Sequence, residues 1–283
     1  MVVGQCAAMI AVGVLLALVW YGLRGLGRWW GLAARWVGWV SPWTRWAHAW
    51  VLSAPATFGY VVVFSALTSV QLAAPPRLVD LLTTLQSTNL RNLHRAPLRA
   101  LLHSALWVAD KGAGLPLYVL VFVSVVAWAE RRYGTPRIVV VGLAGHVLGT
   151  LLTALVEVRA LEAGRASARL AVTTDVGVSY IMVAGCAAAV LVMRGWWRVV
   201  GWVLLGVGVV GPVVWSRTLW DLGHLFATVC GLGVAWVLVR AAPLRRPPDL
   251  RGCLPVPACG GRDRGPGAVG SPGEVGPPVR GGG

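Results

Sequence analysis

The chain has 283 residues, 57% of them hydrophobic and only 12% charged, with a mean hydropathy of +0.71. Soluble domains carry roughly 25% charged residues, so a soluble globular protein is excluded and most of the chain must lie in a membrane. The net charge of +15 does not point to nucleic acid, because no basic patch is interleaved with stacking aromatics outside the apolar runs; membrane lipids with anionic headgroups are the expected partner.

Residues 2–22 form one apolar run with no basic n-region and no A-x-A-like site before a mature start, which reads as a retained helix rather than a cleaved leader. Arg24, Arg28, Arg35 and Arg45 follow, interleaved with tryptophan as in an amphipathic interfacial segment. Residues 1–46 are therefore set apart from a transmembrane domain expected over 47–240. Its first span is predicted from about Ala47 to Gln71.

Residues 72–112 are the longest polar insertion. Leu98, Leu101, Leu102 and Leu106 recur there at helical spacing, which predicts short membrane-surface helices rather than an aqueous loop. Spans are then expected at about 113–130, 138–156, 172–193, 199–215 and 219–239. That gives seven spans, or six plus a leader helix, in an all-α polytopic bundle. From residue 241 to 283 glycine, proline and arginine dominate, a composition that predicts a disordered tail. Sixteen basic residues on one side against nine on the other put that tail in the cytoplasm of a multi-pass cell-membrane protein; without the tail and Arg240 just before it the count is nine to nine.

The five cysteines show no C-x-x-C spacing, and Cys186 and Cys230 lie in apolar helices as packing residues. Two spans open with chemistry. Asp175, Gly177 and Ser179 start one; Asp221 and His224 start the other. If both enter from the same face, the hydroxyl and the imidazole sit at similar depth, about 8–10 Å below the interface at 1.5 Å per residue. Gly223, Ala227, Gly231 and Ala235 form an i+4 ridge, and Gly177, Ala184, Gly185 and Ala188 supply small positions on the other helix, so the two backbones can approach closely. A serine hydroxyl needs a base to become a nucleophile, and imidazole is the usual one. Ser179 is therefore the expected nucleophile and His224 the expected general base.

These residues resemble the core of the rhomboid intramembrane serine proteases. Gly177 to Tyr180 (GVSY) is similar to their G-x-S-G serine, and Gly223 to Gly231 (GHLFATVCG) to their A-H-x-x-G histidine. Glu130 to Gly134 (ERRYG) resembles the E-x-x-x-G closing their second helix, and Arg99 with His103 falls where their first loop has similar residues. Thr88 to Leu93 (TNLRNL), Gly145-His146 and Asp175 to Tyr180 (DVGVSY) are similar to stretches of the divergent rhomboid-like proteins of high-GC bacteria. The resemblance covers about residues 47–240. It implies a rhomboid-like six-helix core plus one extra N-terminal helix, and a transmembrane helix as substrate.

Three positions depart from that pattern. Tyr180 replaces the glycine after the serine, and Ala227 the glycine three after the histidine. Counting back from Glu130, Gly114 and Tyr118 stand where the proteases carry the histidine and asparagine that hold the oxyanion. Losing one such donor costs about 10²–10³ in rate. The substitutes expected here are backbone N–H groups at Gly177, His103 or His146.

The other roles follow from position. Asp175 and Asp221 are expected to cap their helices, with orientation of His224 the competing role for Asp221. His146, among Gly142, Gly145 and Gly149, is expected at a helix crossing. Glu130 beside Arg131 and Arg132 reads as an interfacial charge cluster. The alternative to a protease is a catalytically inactive relative that binds or sorts transmembrane helices. Zinc held by His146, His224, Asp175 and Asp221 lacks an H-x-x-x-H spacing, so neither metal nor cofactor is called for.

Overall fold

Several helices of the chain begin at a proline. Pro55, Pro76 and Pro97 each occupy the first turn of a helix, where a missing N–H costs nothing and the fixed φ already suits the helix. The structure is a computed structural model that describes residues 15–16, 18–108, 112–216, 218–247 and 249–250. Among them every regular element is helical.

After a helical stretch over residues 18–26, helix α1 runs Gly31–Leu52 and α2 runs Pro55–Ala73. The expected single span from Ala47 to Gln71 is thus broken. A residue before proline is driven out of the helical region; Ala54 sits at φ −139°, ψ 58°, and ends the continuity. The polar insertion folds into α3 (Pro76–Gln86), α4 (Leu90–Arg95) and α5 (Pro97–Ser104). On α5, Leu98 and Leu102 face outward while Ala100 and Ser104 are buried, the amphipathic division expected of a membrane-surface helix.

Helix α6 comprises Leu115–Val121, a π turn at Phe122–Val126 and Ala127–Tyr133. It is followed by α7 (Thr135–Glu162) and α8 (Val178–Val192). Helix α9 comprises Trp196–Leu205, a π turn at Gly206–Val210 and Gly211–Trp215; α10 is Leu219–Ala241. The helices Pro55–Ala73, Thr135–Glu162, Trp196–Trp215 and Leu219–Ala241 are long and apolar enough to cross a membrane, and Val178–Val192 is a shorter apolar helix. The chain is a polytopic helical membrane bundle whose core is α2 and α6–α10.

The centre of the bundle is the junction of α7, α8 and α10, where glycine lets backbones approach. A Cβ at Gly145 would lie 2.4 Å from Ala184 Cβ, one at Gly149 3.0 Å from Ala227, and one at Gly231 2.6 Å from Ala184. The expected α10 ridge is buried at all four positions, Gly223, Ala227, Gly231 and Ala235. This is the small-residue packing that membrane helices rely on in the absence of a hydrophobic driving force between them.

Glu130 overturns the expectation of a surface charge cluster. It is 1% exposed and turned inward, accepting hydrogen bonds from the Ala56 and Thr57 N–H groups at 3.0 and 2.8 Å and from the Thr135 hydroxyl at 2.6 Å. A carboxylate there satisfies the free N–H groups of α2 and opposes its dipole. Its neighbours point elsewhere, Arg131 over Trp50 and Arg132 over Trp128. The chain then turns at Gly134, whose φ of 84° favours glycine.

The first residues of the expected tail run across this same end. Arg245 N–H donates to Arg132 O at 2.8 Å, and Leu244 packs on the core. Residues 251–283, and most of the apolar run over 2–22, lie outside the described residues.

Candidate active site

The site lies at the opposite end of the bundle, where α3–α5 cover the starts of α8 and α10. Helix α8 begins only at Val178, because the residues before it are engaged by the covering segment. Thr88 N–H donates to Asp175 O at 2.8 Å, Asp175 N–H to Ser87 Oγ at 2.7 Å, and Gly177 N–H to Ser104 O at 2.8 Å. Within that segment Asn89 caps α4 by accepting from Asn92 N–H at 2.9 Å, and Asn92 Nδ2 donates to Thr84 O and Ser87 O.

Ser179 and His224 enter from the same end of their helices. The α8–α10 crossing at Ala184 and Gly231 lies five residues below Ser179 and seven below His224. At 1.5 Å per residue the two stand about 7.5 and 10.5 Å above it, so their depths differ by only about 3 Å. Both line a cavity of about 570 Å³, together with Asp80, Thr83, Thr84, Tyr118, Thr174, Asp175, Val176 and Trp220. Each is half-buried.

No hydrogen bond joins Ser179 to His224 among the described residues. The imidazole instead meets the ring of Tyr180, edge to face, with centroids 5.2 Å apart. Tyr180 is buried, and its hydroxyl donates to Asp175 Oδ2 at 3.1 Å. A Cβ at position 223 would fall 1.7 Å from that hydroxyl oxygen, so Gly223 makes room for it.

Asp175 also accepts from the Thr88 hydroxyl at 3.2 Å. Burial pushes its carboxyl up to about 6, against the opposing pull of the hydrogen bonds from Tyr180, Thr88 and the Val176 backbone. Asp221 forms a capping box with Thr218, accepting from its N–H at 3.0 Å and its hydroxyl at 2.6 Å. This is the capping role, and no hydrogen bond connects Asp221 to His224.

The remaining expected residues are placed away from the cavity. Gly177 precedes the serine, but its N–H is taken by Ser104 O. His103 is exposed and reaches Gln86 Oε1 at 2.5 Å, joining α5 to the end of α3. His146 is 1% exposed, with Nε2 at 3.0 Å from Leu101 O and 3.3 Å from Ser104 Oγ. Its ring lies so close to Gly177 that a Cβ there would be 2.1 Å from Cε1.

The Ser104–His146 contact brings together the residue types of a dyad that the sequence pattern did not single out. A carbonyl only accepts, so Nε2 carries the proton and is a donor in this pair. The Ser104 hydroxyl also faces the Leu101 carbonyl, at 3.2 Å. The arrangement therefore ties α5 to α7 and does not present Nε2 as a base to Ser104.

Asp80, Thr83 and Thr84 on α3 and Trp220 on α10 also line the cavity, though no sequence motif singles them out. The first three follow i, i+3, i+4 spacing, and Trp220 stands one turn before His224, which would have marked them as a shared lining. Trp220 Nε1 donates to Thr174 O at 2.8 Å and ties α10 to the serine loop. Among the described residues no three His, Cys, Asp or Glu side chains converge as a metal site.

Neither a curated protein nor a solved structure matches the chain. A family of rhomboid-like proteins matches residues 49–244, from the last turn of α1 to just past the end of α10. The match takes in the whole helical core, the covering segment and both helices that border the cavity, and the chain belongs to the rhomboid-like protein family.

Proposed function

We propose that this membrane protein is an intramembrane serine peptidase, with Ser179 as nucleophile and His224 as general base and then acid. The observation that carries the reading is their shared position, at nearly equal depth, in one cavity beneath the covering helices. Catalytic hydrogen bonds are often long or absent until substrate is bound, so side-chain rotation into contact is the step expected of the substrate complex.

In the reaction Ser179 Oγ would attack the scissile carbonyl as its proton passes to the His224 imidazole. The imidazolium would return that proton to the leaving amine, and water would release the acyl group by the same route in reverse. The oxyanion would be met by N–H groups in the first turn of α8, a helix start with no side-chain cap. The substrate would be a transmembrane helix unwound near this face, since the serine needs extended backbone.

A second reading is a catalytically silent relative that binds or sorts transmembrane helices in the same cavity. The contact of Tyr180 with His224 favours it, because the imidazole already has a packing partner other than the serine.

Fluorophosphonate labelling of the reconstituted full-length chain separates the two. The peptidase requires labelling that disappears in Ser179→Ala, falls in His224→Ala and persists in Ser104→Ala and His146→Ala. Absence of labelling in a folded preparation supports the silent binder. Loss in Ser104→Ala with retention in Ser179→Ala would transfer the nucleophile to the other pair.

A further inference from the structure

Helix α1 is fastened to the core near its C-terminal end. Trp50 Nε1 donates to Val123 O at 2.9 Å, within the π turn of α6, and Arg131 lies over the Trp50 ring. Trp46 stacks on Trp50. Further back the tryptophans are open while Ala33 and Pro42 are buried, with Trp36, Trp39 and Trp43 exposed by 61, 67 and 52%.

Positions 36, 39, 43, 46 and 50 advance by three or four residues. At 3.6 residues per turn all five indoles fall within an arc of about 80°. Ser41, Arg45 and His48 fall on the opposite side. The helix is 22 residues long but does not qualify as an apolar span. Tryptophan in such a stripe suits the boundary between headgroups and acyl chains, where its ring is dissolved and its N–H stays wet.

Charge selects the surface. Arg24, Arg28, Arg35 and Arg45 lie in this part of the chain, and no acidic residue precedes Asp80. A second copy packed on the same face would bring arginines together without a carboxylate to pair them. An anionic bilayer surface attracts each of them. Helix α1 ends three residues before α2 begins, so it already starts from the edge of the membrane-embedded bundle.

We propose that α1 is an in-plane membrane anchor, its tryptophan stripe seated at the headgroup–acyl boundary and its arginines selecting anionic phospholipid. The test is tryptophan quenching by brominated lipid, with the full-length chain in phosphatidylcholine vesicles with or without phosphatidylglycerol. The signal of the stripe is the difference between the unmodified chain and W36F/W39F/W43F. It is expected to be quenched more by bromines near the headgroup than by bromines deep in the acyl chains. Brominated phosphatidylglycerol should quench at least about twofold more than brominated phosphatidylcholine, a ratio falling towards one in R35Q/R45Q. Stronger quenching by deep bromines, or none by either, overturns the in-plane anchor, the second outcome pointing to cover by protein or water. A lipid ratio of one in the unmodified chain overturns the anionic preference and needs no variant to fold.

Discussion

Tyr180 meets His224 edge to face, with ring centroids 5.2 Å apart and planes at 78°. The tyrosine directly follows Ser179 in sequence, so one helix turn supplies both the hydroxyl in the cavity and the ring that holds the imidazole. Tyr180→Phe keeps the ring contact and removes the hydrogen bond to Asp175. It is expected to cost about 1–2 kcal/mol, read as a lower thermal midpoint in detergent. Tyr180→Ala also empties a buried site and is expected to cost about 3–5 kcal/mol. Equal losses in the two variants would mean that the ring contributes nothing and the hydroxyl everything.

The covering segment is held by a glycine. Gly177 lies against the His146 ring, and its N–H donates to Ser104 O. In Gly177→Ala the new methyl would displace the imidazole from Leu101 O and Ser104 Oγ, loosening α5 from α7 and α8. A loss of about 2–4 kcal/mol is expected, with faster protease cutting between α3 and α5. His146→Ala removes the obstacle and should restore part of the protease resistance in the double variant. Unchanged cutting in the single variant would show that His146 does not hold the segment.

Much of the scaffold was legible because membrane helices announce themselves by length and apolarity. The spans after residue 112 fell close to their observed positions, and the Gly223–Ala235 ridge was readable from i+4 spacing alone. The break at Pro55 was signalled locally but masked by continuous apolar composition on both sides, so α1 and α2 merged. Glu130 was misread because sequence shows an acid beside two arginines, whereas its partners, the N–H groups of Ala56 and Thr57, are more than seventy residues away. Ser104 and His146 went unpaired for the same reason: their contact depends on how deeply α5 settles against α7, which no spacing encodes. Ser179 and His224 are readable as a pair lining one cavity because each opens its helix from the same end. The position of the Tyr180 ring against His224 follows from three-dimensional packing around Gly223.

Glu130 should be more sensitive to truncation than to neutralisation. Glu130→Ala leaves the Ala56 and Thr57 N–H groups and the Thr135 hydroxyl without their acceptor, at an expected cost of about 2–4 kcal/mol. Glu130→Gln keeps one carbonyl oxygen and the side-chain volume, and should lose roughly half as much. The comparison is read from thermal midpoints of the purified variants. A surface cluster would instead show losses below about 1 kcal/mol for both.

Asp175 makes the fold more stable in acid than at neutral pH. Its carboxyl titrates at about 6 in the folded chain, above the ordinary value of 3.8, chiefly because burial disfavours the charge. Glu157 on α7 lies close enough to feel that charge. The folded state therefore holds a proton on Asp175 that the unfolded state has released between those two values. Stability from this group is complete below pH 4, falls as pH rises towards 6, and is flat above it. Discounted for its half-buried position, the change is about 1 kcal/mol, or a few degrees in midpoint. Asp175→Asn cannot ionise but can still accept from Tyr180 and Thr88, so this part of the slope should vanish. A variant whose midpoint between pH 4 and 7 runs parallel to that of the unmodified chain would assign the dependence to another group.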